Sequence, residues 1–171
     1  MKNNRNFLFY GIGSVAFGIK GNAFSWFLFF YYNMVIGLPA WMASLALAIA
    51  TIWDAISDLI IGYSSDHTKS RLGRRHPYMY AALIPVPIFF VLLWNPPTFD
   101  TDFNLFLYLL IMAILVRTFT TLFEIPNQSL GPEITREYHE RTKMMSLRYF
   151  FGWMGGTVTV SYTHLTLPTK A

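Results

Sequence analysis

The chain has 171 residues, of which 54% are hydrophobic, 18% aromatic and 13% charged, and its formal net charge is +4. A soluble domain normally carries about 25% charged residues, and one core of ~170 residues cannot hide so much apolar surface. The composition excludes an ordinary globular domain, a disordered tail and a fibrous repeat, and it indicates a membrane protein. Because the chain has no Cys, disulfide scaffolds and cysteine-based zinc or redox sites are also excluded.

A helix that crosses a bilayer needs roughly 20 mostly apolar residues. Four segments of the chain meet this requirement, and a fifth begins near Ser146. The predicted spans, in chain order, are 7–36, 41–61, 78–94, 103–124 and 146–160. We expect Pro85 and Pro87 to bend the third span. The predicted fold is therefore an all-α, polytopic membrane protein with about five transmembrane helices.

The last residues do not continue the apolar pattern of the fifth span. Residues 161–171 are polar, rich in Thr and interrupted by Pro168. Because the fifth helix should continue for roughly 20 residues, we predict that 161–171 is a non-native tail. The chain would then be an N-terminal piece of a longer protein. A short native C-terminus is the alternative.

Lys and Arg residues occur in alternate connections along the chain. They precede the first span and lie between spans two and three and between spans four and five, whereas the other two connections have none. Cytoplasmic loops of membrane proteins carry an excess of these residues. We therefore predict a multi-pass protein of a bacterial-type inner membrane with a cytoplasmic N-terminus. The lipid bilayer is its expected partner, and nucleic acid is not.

Two carboxylates lie at membrane depth in the second span, where a charge is costly and normally has a function. Asp54 and Asp58 are four residues apart, so they project from one helix face, and Thr51 shares that face. Two carboxylates and a hydroxyl suit a small cation such as Na⁺ or Li⁺, or they form a proton acceptor. The alternative, which does not exclude the first, is ion pairing with one of three basic residues, Lys20, Arg117 or Arg148.

The fourth span also carries a polar face. Arg117, Thr121 and Glu124 are spaced so that they project from the same side of a helix. Pro126 follows closely, so we expect the helix to kink or open near Glu124. A carboxylate beside such a kink can accept hydrogen bonds from sugar hydroxyls. The alternative is a buried Arg117–Glu124 pair that only holds helices together.

Small residues recur along the first span at alternating spacings of three and four: Gly11, Ser14, Gly18, Asn22 and Ser25. Such a stripe permits close approach of another helix, although Asn22 can also line a cavity. Gly152 and Gly156 form a G-x-x-x-G pattern in the fifth span, which favours packing as well.

The loop between spans two and three joins an acid to a compact basic turn, formed by Gly62, Asp66, Arg71, Gly73, Arg74 and Arg75. The glycines permit a tight turn, and the opposite charges can latch two helices on the cytoplasmic side. The alternative is that the basic residues only fix the topology.

Gly62-x-x-x-Asp66 followed by Arg71-Leu-Gly-Arg-Arg75 resembles the cytoplasmic loop motif of the major facilitator superfamily, with three extra residues before the Gly-Arg pair. This longer form, together with Trp53-Asp-Ala-Ile-Ser-Asp58, is similar to the glycoside–pentoside–hexuronide:cation symporters. A further match is Glu124-Ile-Pro-x-x-Ser-Leu-x-Pro132, and Arg148 stands where that family has an Arg-Phe pair. The resemblance covers residues 7–160.

The resemblance implies a secondary active transporter that carries a sugar or glycoside together with Na⁺, Li⁺ or H⁺. It implies a twelve-helix fold, of which this chain contains about five helices. The missing C-terminal half of the same transporter would then be a partner of this chain. The implied cation-binding residues are Asp54, Asp58 and Thr121. The only metal that the two carboxylates are expected to bind is an alkali cation. The candidate substrate-binding residues are Glu124, Arg148, Lys20 and Asn22. The implied cytoplasmic gate motif is Gly62, Asp66, Arg71, Gly73, Arg74 and Arg75.

No nucleophile–base pair or phosphate-binding loop is evident, so we do not predict an enzyme. Two other functions stay open. One is a proton-driven exporter of drugs or metabolites from the same superfamily. The other is a non-transporting membrane scaffold whose buried charges only pair helices.

Overall fold

A computed structural model describes residues 11–71, 73–134 and 137–166 of the chain. Every regular element in these ranges is helical, which confirms the predicted all-α fold. The elements are α1 (Val15–Asn22), a π-helical segment (Ala23–Phe27), α2 (Leu28–Phe30), a second π-helical segment (Tyr31–Ile36), α3 (Ala40–His67), α4 (His76–Leu83), α5 (Pro85–Trp94), α6 (Asp102–Ile134) and α7 (Tyr138–Thr166).

Three stretches are long and apolar enough to cross a membrane: Ala40–His67, His76–Trp94 and Asp102–Ser129. Large apolar side chains on these stretches are exposed, among them Leu59, Ile84 and Ile111. Such a surface is unfavourable in water but matches the hydrocarbon of a bilayer. The helices are therefore those of a multi-pass membrane protein.

Three helices extend well beyond their predicted bounds. The helix of the predicted span 41–61 is α3, which continues to His67, so Gly62 and Asp66 lie on its last turns. The helix of the predicted span 103–124 is α6, which continues to Ile134. The last begins at Tyr138 and continues to Thr166, past the residue at which the non-native tail is predicted to start. Residues 167–171 lie outside the described ranges, and the foreign origin of 161–171 stays a prediction.

The prolines of the third and fourth spans have different effects. α4 ends at Leu83 and α5 begins at Pro85, so the helix is interrupted at Ile84, directly before the first proline at which a bend is predicted. Proline lacks a donor and disfavours helix at the residue before it. By contrast, α6 continues through Pro126, which is fully buried. The helix therefore does not open near Glu124, because a proline inside a membrane helix is tolerated where neighbours enclose it. The expected kink at this position stays a prediction.

The C-terminal end of α5 is closed by three tyrosine hydroxyls. They donate to its last carbonyl oxygens, Tyr108 to Leu92 (2.7 Å), Tyr32 to Leu93 (2.7 Å) and Tyr31 to Trp94 (2.9 Å). The last carbonyls of a helix have no partner within that helix. Side chains from two other parts of the chain therefore satisfy groups that water would otherwise solvate.

The described residues form two compact units. The first unit contains the residues up to Phe30 and those from Gly131 onward, and α1 packs against α7 within it. The second unit is Tyr31–Leu130, which contains α3, α4, α5 and most of α6.

Close packing of α1 on α7 depends on residues without bulk. A Cβ at Gly18 would collide with the carbonyl oxygen of Gly152, and a Cβ at Gly156 would lie 2.5 Å from Nδ2 of Asn22. The two backbones are therefore in direct contact, as in small-residue interfaces of membrane helices. The predicted packing role of this stripe is confirmed at these positions.

Candidate cation and substrate site

The polar faces of α3 and α6 meet within the second unit. Nη1 of Arg117 donates to Oδ2 of Asp54 in an ion pair, and 23% and 28% of the two side chains are exposed. The other terminal nitrogen, Nη2, lies 3.5 Å from Oγ1 of Thr51. The guanidinium therefore reaches from α6 onto the face of α3 that carries the predicted cation ligands.

Thr121 connects the two carboxylates of that face. Its hydroxyl donates to Oδ1 of Asp54 at 3.3 Å, and it lies close enough to Asp58 to influence that carboxylate as well. Asp58 also interacts electrostatically with Asp54, Glu124 and Arg117. The structure thus brings together the three residues predicted to bind a cation.

The donor set at this position consists of carboxylate and hydroxyl oxygens, which are ligands that alkali cations prefer. The oxygens of Asp58 and Thr121 fit such an ion. Both oxygens of Asp54 already accept hydrogen bonds from Arg117 and Thr121. Across the ranges that the structure describes, no three His, Cys, Asp or Glu side chains gather as a metal site would require.

Glu124 lies one turn beyond Thr121 on α6, and Nε2 of Gln128 donates to its Oε1 at 3.1 Å. The side chain is partly buried. Its carboxylate is close enough to Asp58 for the two charges to interact. The residue predicted to accept hydrogen bonds from a substrate therefore adjoins the residues predicted to hold a cation.

Trp53 and Thr118 form a second connection between α3 and α6 that was not predicted from the sequence. Nε1 of Trp53 donates to Oγ1 of Thr118 at 2.8 Å, and the same hydroxyl donates to the carbonyl oxygen of Ile114 at 2.8 Å. Each partner is the chain neighbour of a member of the Asp54–Arg117 pair. A signal existed in the sequence, because an indole N–H at membrane depth needs an acceptor.

The remaining candidate substrate residues belong to the first unit. Nζ of Lys20 and Cζ of Arg148 each lie 5.9 Å from the ring centroid of Phe17, which is within cation–π range. Asn22 packs against Gly156. Phe17 was not predicted. The structure brings Lys20 and Arg148 to one ring, and their grouping with Glu124 of the second unit stays a prediction.

The predicted gate motif contains an ion pair between the end of α3 and the turn before α4. Nη2 of Arg75 donates to Oδ1 of Asp66 at 3.1 Å. An acid near a helix C-terminus is disfavoured by the helix dipole. The ion pair with Arg75 offsets this unfavourable interaction of Asp66. Gly73 has φ +93°, a conformation that favours glycine. Arg71 and Arg74 are exposed.

Two further hydrogen bonds hold the start of α4 to the end of α3. The hydroxyl of Tyr78 lies 2.6 Å from Oγ of Ser64 and 2.7 Å from Oγ1 of Thr68. Tyr78 therefore supports the turn that carries Arg75.

Gly62, another residue of the predicted gate motif, lies on the side of α3 that faces α6. A Cβ added at Gly62 would lie 3.7 Å from Cγ2 of Ile125 on α6, which is an ordinary contact distance.

A family described as MFS/sugar transport protein matches residues 9–169. The chain belongs to this family. An uncharacterized symporter of Synechocystis is 38% identical over 156 residues, which cover 88% of this chain and 28% of the relative. Members with 28% identity include an isoprimeverose transporter of Lactiplantibacillus pentosus, with 87% of this chain and 31% of the relative covered. A putative glycoside/cation symporter of Escherichia coli is also 28% identical, with 92% and 34% covered.

Membership of the MFS/sugar transport family confirms the resemblance found in the loop motif and in the second span. It places the chain among transporters rather than enzymes. The chain spans between 28% and 34% of the length of these three relatives.

Proposed function

We propose that the complete protein that contains this chain is a secondary active transporter, which takes up a sugar or glycoside together with Na⁺, Li⁺ or H⁺. The observation that carries the proposal is the meeting of Asp54, Asp58 and Thr121 between α3 and α6. Support comes from two relatives whose names describe an isoprimeverose transporter and a glycoside/cation symporter. The proposed location is a bacterial inner membrane, with the N-terminus in the cytoplasm.

Coupling would depend on the charge of the site. Asp54, Asp58 and the guanidinium of Arg117 together carry one net negative charge, which is costly at membrane depth. One bound monovalent cation neutralises it. Neutralisation lowers the free-energy cost of closing the helices around the site, so the cation-bound protein is the state that favours binding of the sugar. By linkage, the sugar raises the affinity for the cation by the same factor.

Sugar binding is assigned to Glu124, Arg148, Lys20 and Asn22. A carboxylate accepts hydrogen bonds from sugar hydroxyls, whereas guanidinium, ammonium and amide groups donate to them. Phe17 would hold the two cations in place. Alternating access would then follow from rocking of the two halves of the complete transporter against each other.

The gate motif would control the cytoplasmic side. The Asp66–Arg75 pair connects the end of α3 to the turn before α4, and such a pair between helix ends can be made in one state and broken in the other. Because the Asp66 side chain is exposed to solvent, the ion pair is weak enough to open during each transport cycle.

Uptake by the complete gene product, reconstituted in liposomes, tests the proposal. A panel of radiolabelled glycosides is supplied with an imposed Na⁺, Li⁺ or proton gradient. We expect accumulation of at least one glycoside above its external concentration under one of these gradients. Asp58→Asn should abolish accumulation, whereas Asp102→Asn, which removes an exposed carboxylate at the start of α6, should leave it unchanged.

Other outcomes separate the alternatives. Export driven only by protons would favour the drug or metabolite exporter, and the absence of any flux would favour the scaffold. Unchanged uptake by Asp58→Asn would contradict a coupling role for this carboxylate.

A further inference from the structure

We infer that the guanidinium of Arg117 is a tethered cation that holds Asp54 in place of an alkali ion, and that it thereby lowers the affinity of this site for Na⁺ and Li⁺. The role of the site rests on the proposed function, whereas the competition between guanidinium and ion rests on the contacts of α3 with α6.

The guanidinium engages two of the oxygen groups on α3 that face α6. Nη1 donates to Oδ2 of Asp54, and Nη2 lies 3.5 Å from Oγ1 of Thr51. Thr121 donates to the second oxygen of Asp54 at 3.3 Å. Both oxygens of Asp54 therefore accept from the protein itself.

The position of the guanidinium is fixed by its neighbours. Trp53 precedes Asp54, Thr118 follows Arg117, and their side chains are joined by a hydrogen bond of 2.8 Å. This second connection sets the register of the two helices. With that register, the side chain of Arg117 meets Asp54, which is one of the two carboxylates predicted to bind the cation.

An ion that enters the site meets two obstacles. The first is a reduced set of ligands, because Asp58 and Thr121 are the predicted cation ligands whose oxygens do not bind the guanidinium. The second is repulsion between the ion and the positive charge of Arg117, which interacts with Asp58 as well. Without the guanidinium, both carboxylates would be open to the ion and the repulsion would be absent. Alkali-ion affinity should then rise by about tenfold or more.

Direct binding measurements test this inference. Na⁺ and Li⁺ are titrated by calorimetry into the purified complete gene product in a choline buffer. Arg117→Met and Arg117→Gln remove the charge and keep much of the side-chain length. Both should raise Na⁺ affinity by about tenfold or more. Arg117→Lys keeps the charge and should show no such gain.

Two controls show that any gain requires Asp54. The double variant Arg117→Met/Asp54→Asn lacks the carboxylate that the guanidinium releases, so it should lose the gain. Arg141→Gln removes an exposed arginine on α7 and should bind Na⁺ as the unmodified protein does. Having two neutral variants at position 117 keeps the test open if one of them fails to fold.

Three results would overturn the inference. One is equal Na⁺ affinity in the unmodified protein and both neutral variants. Another is a gain that survives in the double variant. The third, which needs no variant, is a structure with Na⁺ on Asp54 while Arg117 remains paired to the same carboxylate. Failure of the protein to carry any glycoside would contradict the proposed function and would leave this binding comparison intact.

Discussion

The indole nitrogen of Trp53 on α3 donates a 2.8 Å hydrogen bond to the hydroxyl of Thr118 on α6. Directly beside it, Asp54 pairs with Arg117, so two consecutive residues of one helix bind two consecutive residues of the other. Two adjacent connections fix both the axial register and the rotation of the helices. The site therefore depends on a neutral contact as well as on the charges.

This neutral contact can be measured by a double-mutant cycle of Trp53→Phe and Thr118→Val. Hydrogen bonds between membrane helices contribute about 0.6 kcal/mol on average, and we expect a coupling energy of that size. The measurement is reversible unfolding in mixed micelles, followed by circular dichroism. A coupling energy indistinguishable from zero would contradict the structural role of the bond.

Gly18→Ala should destabilise the packing of α1 on α7. The added methyl group would meet the carbonyl oxygen of Gly152, which is backbone and cannot move away cheaply. Overpacking of this kind costs roughly 1–3 kcal/mol. Gly21→Ala is the matched control, because nothing lies within 4 Å of the added atom. Thermal unfolding should therefore separate the two variants, and equal melting temperatures would argue against direct backbone contact.

Gly73→Ala should destabilise the turn between α3 and α4. The backbone there has φ +93°, and L-residues with side chains pay about 1 kcal/mol or more to adopt positive φ. Gly73→Asn should cost less, because Asn tolerates positive φ better than Ala. Thermal unfolding combined with limited proteolysis of the turn measures both effects. A Gly73→Ala variant more stable than the Gly73→Asn variant would be inconsistent with a positive φ at this residue.

Removal of the Asp66–Arg75 pair should change stability only slightly. The carboxylate is 59% exposed, whereas the Arg75 side chain is 12% exposed, so Asp66→Asn is expected to cost about 1 kcal/mol. The cost should decrease at high ionic strength because salt screens exposed charges. Exchange of the two residues by Asp66→Arg/Arg75→Asp should restore stability. Asp102→Asn, which also removes one exposed carboxylate, is the control for a simple change of net charge.

The apolar stretches and the break before Pro85 could be predicted from sequence because both depend on local chemistry. Length and hydropathy define a span, and a proline removes a donor from its own helix. Continuation of α6 through Pro126 could not be predicted in this way. It depends on the enclosure of this residue, which is fully buried, and enclosure is a property of packing.

The candidate site was predictable in composition but not in pairing. The spacing of Asp54 and Asp58 showed that they share a face of one helix, and it left cation binding and ion pairing as alternatives. The choice of Arg117 as the partner of Asp54 depends on the register between α3 and α6. No pattern within one helix contains that register, and the Trp53–Thr118 bond that helps to set it was missed for the same reason.

The three tyrosines at the end of α5 have a consequence for the thickness of bilayer that this protein can occupy. The stretch His76–Trp94 has 19 residues, or about 28 Å of helix, slightly less than the ~30 Å hydrocarbon layer. A short span normally forces the lipid to thin. Here the terminal carbonyls accept from phenol groups instead of solvent, so the helix can end just below the headgroups without that deformation.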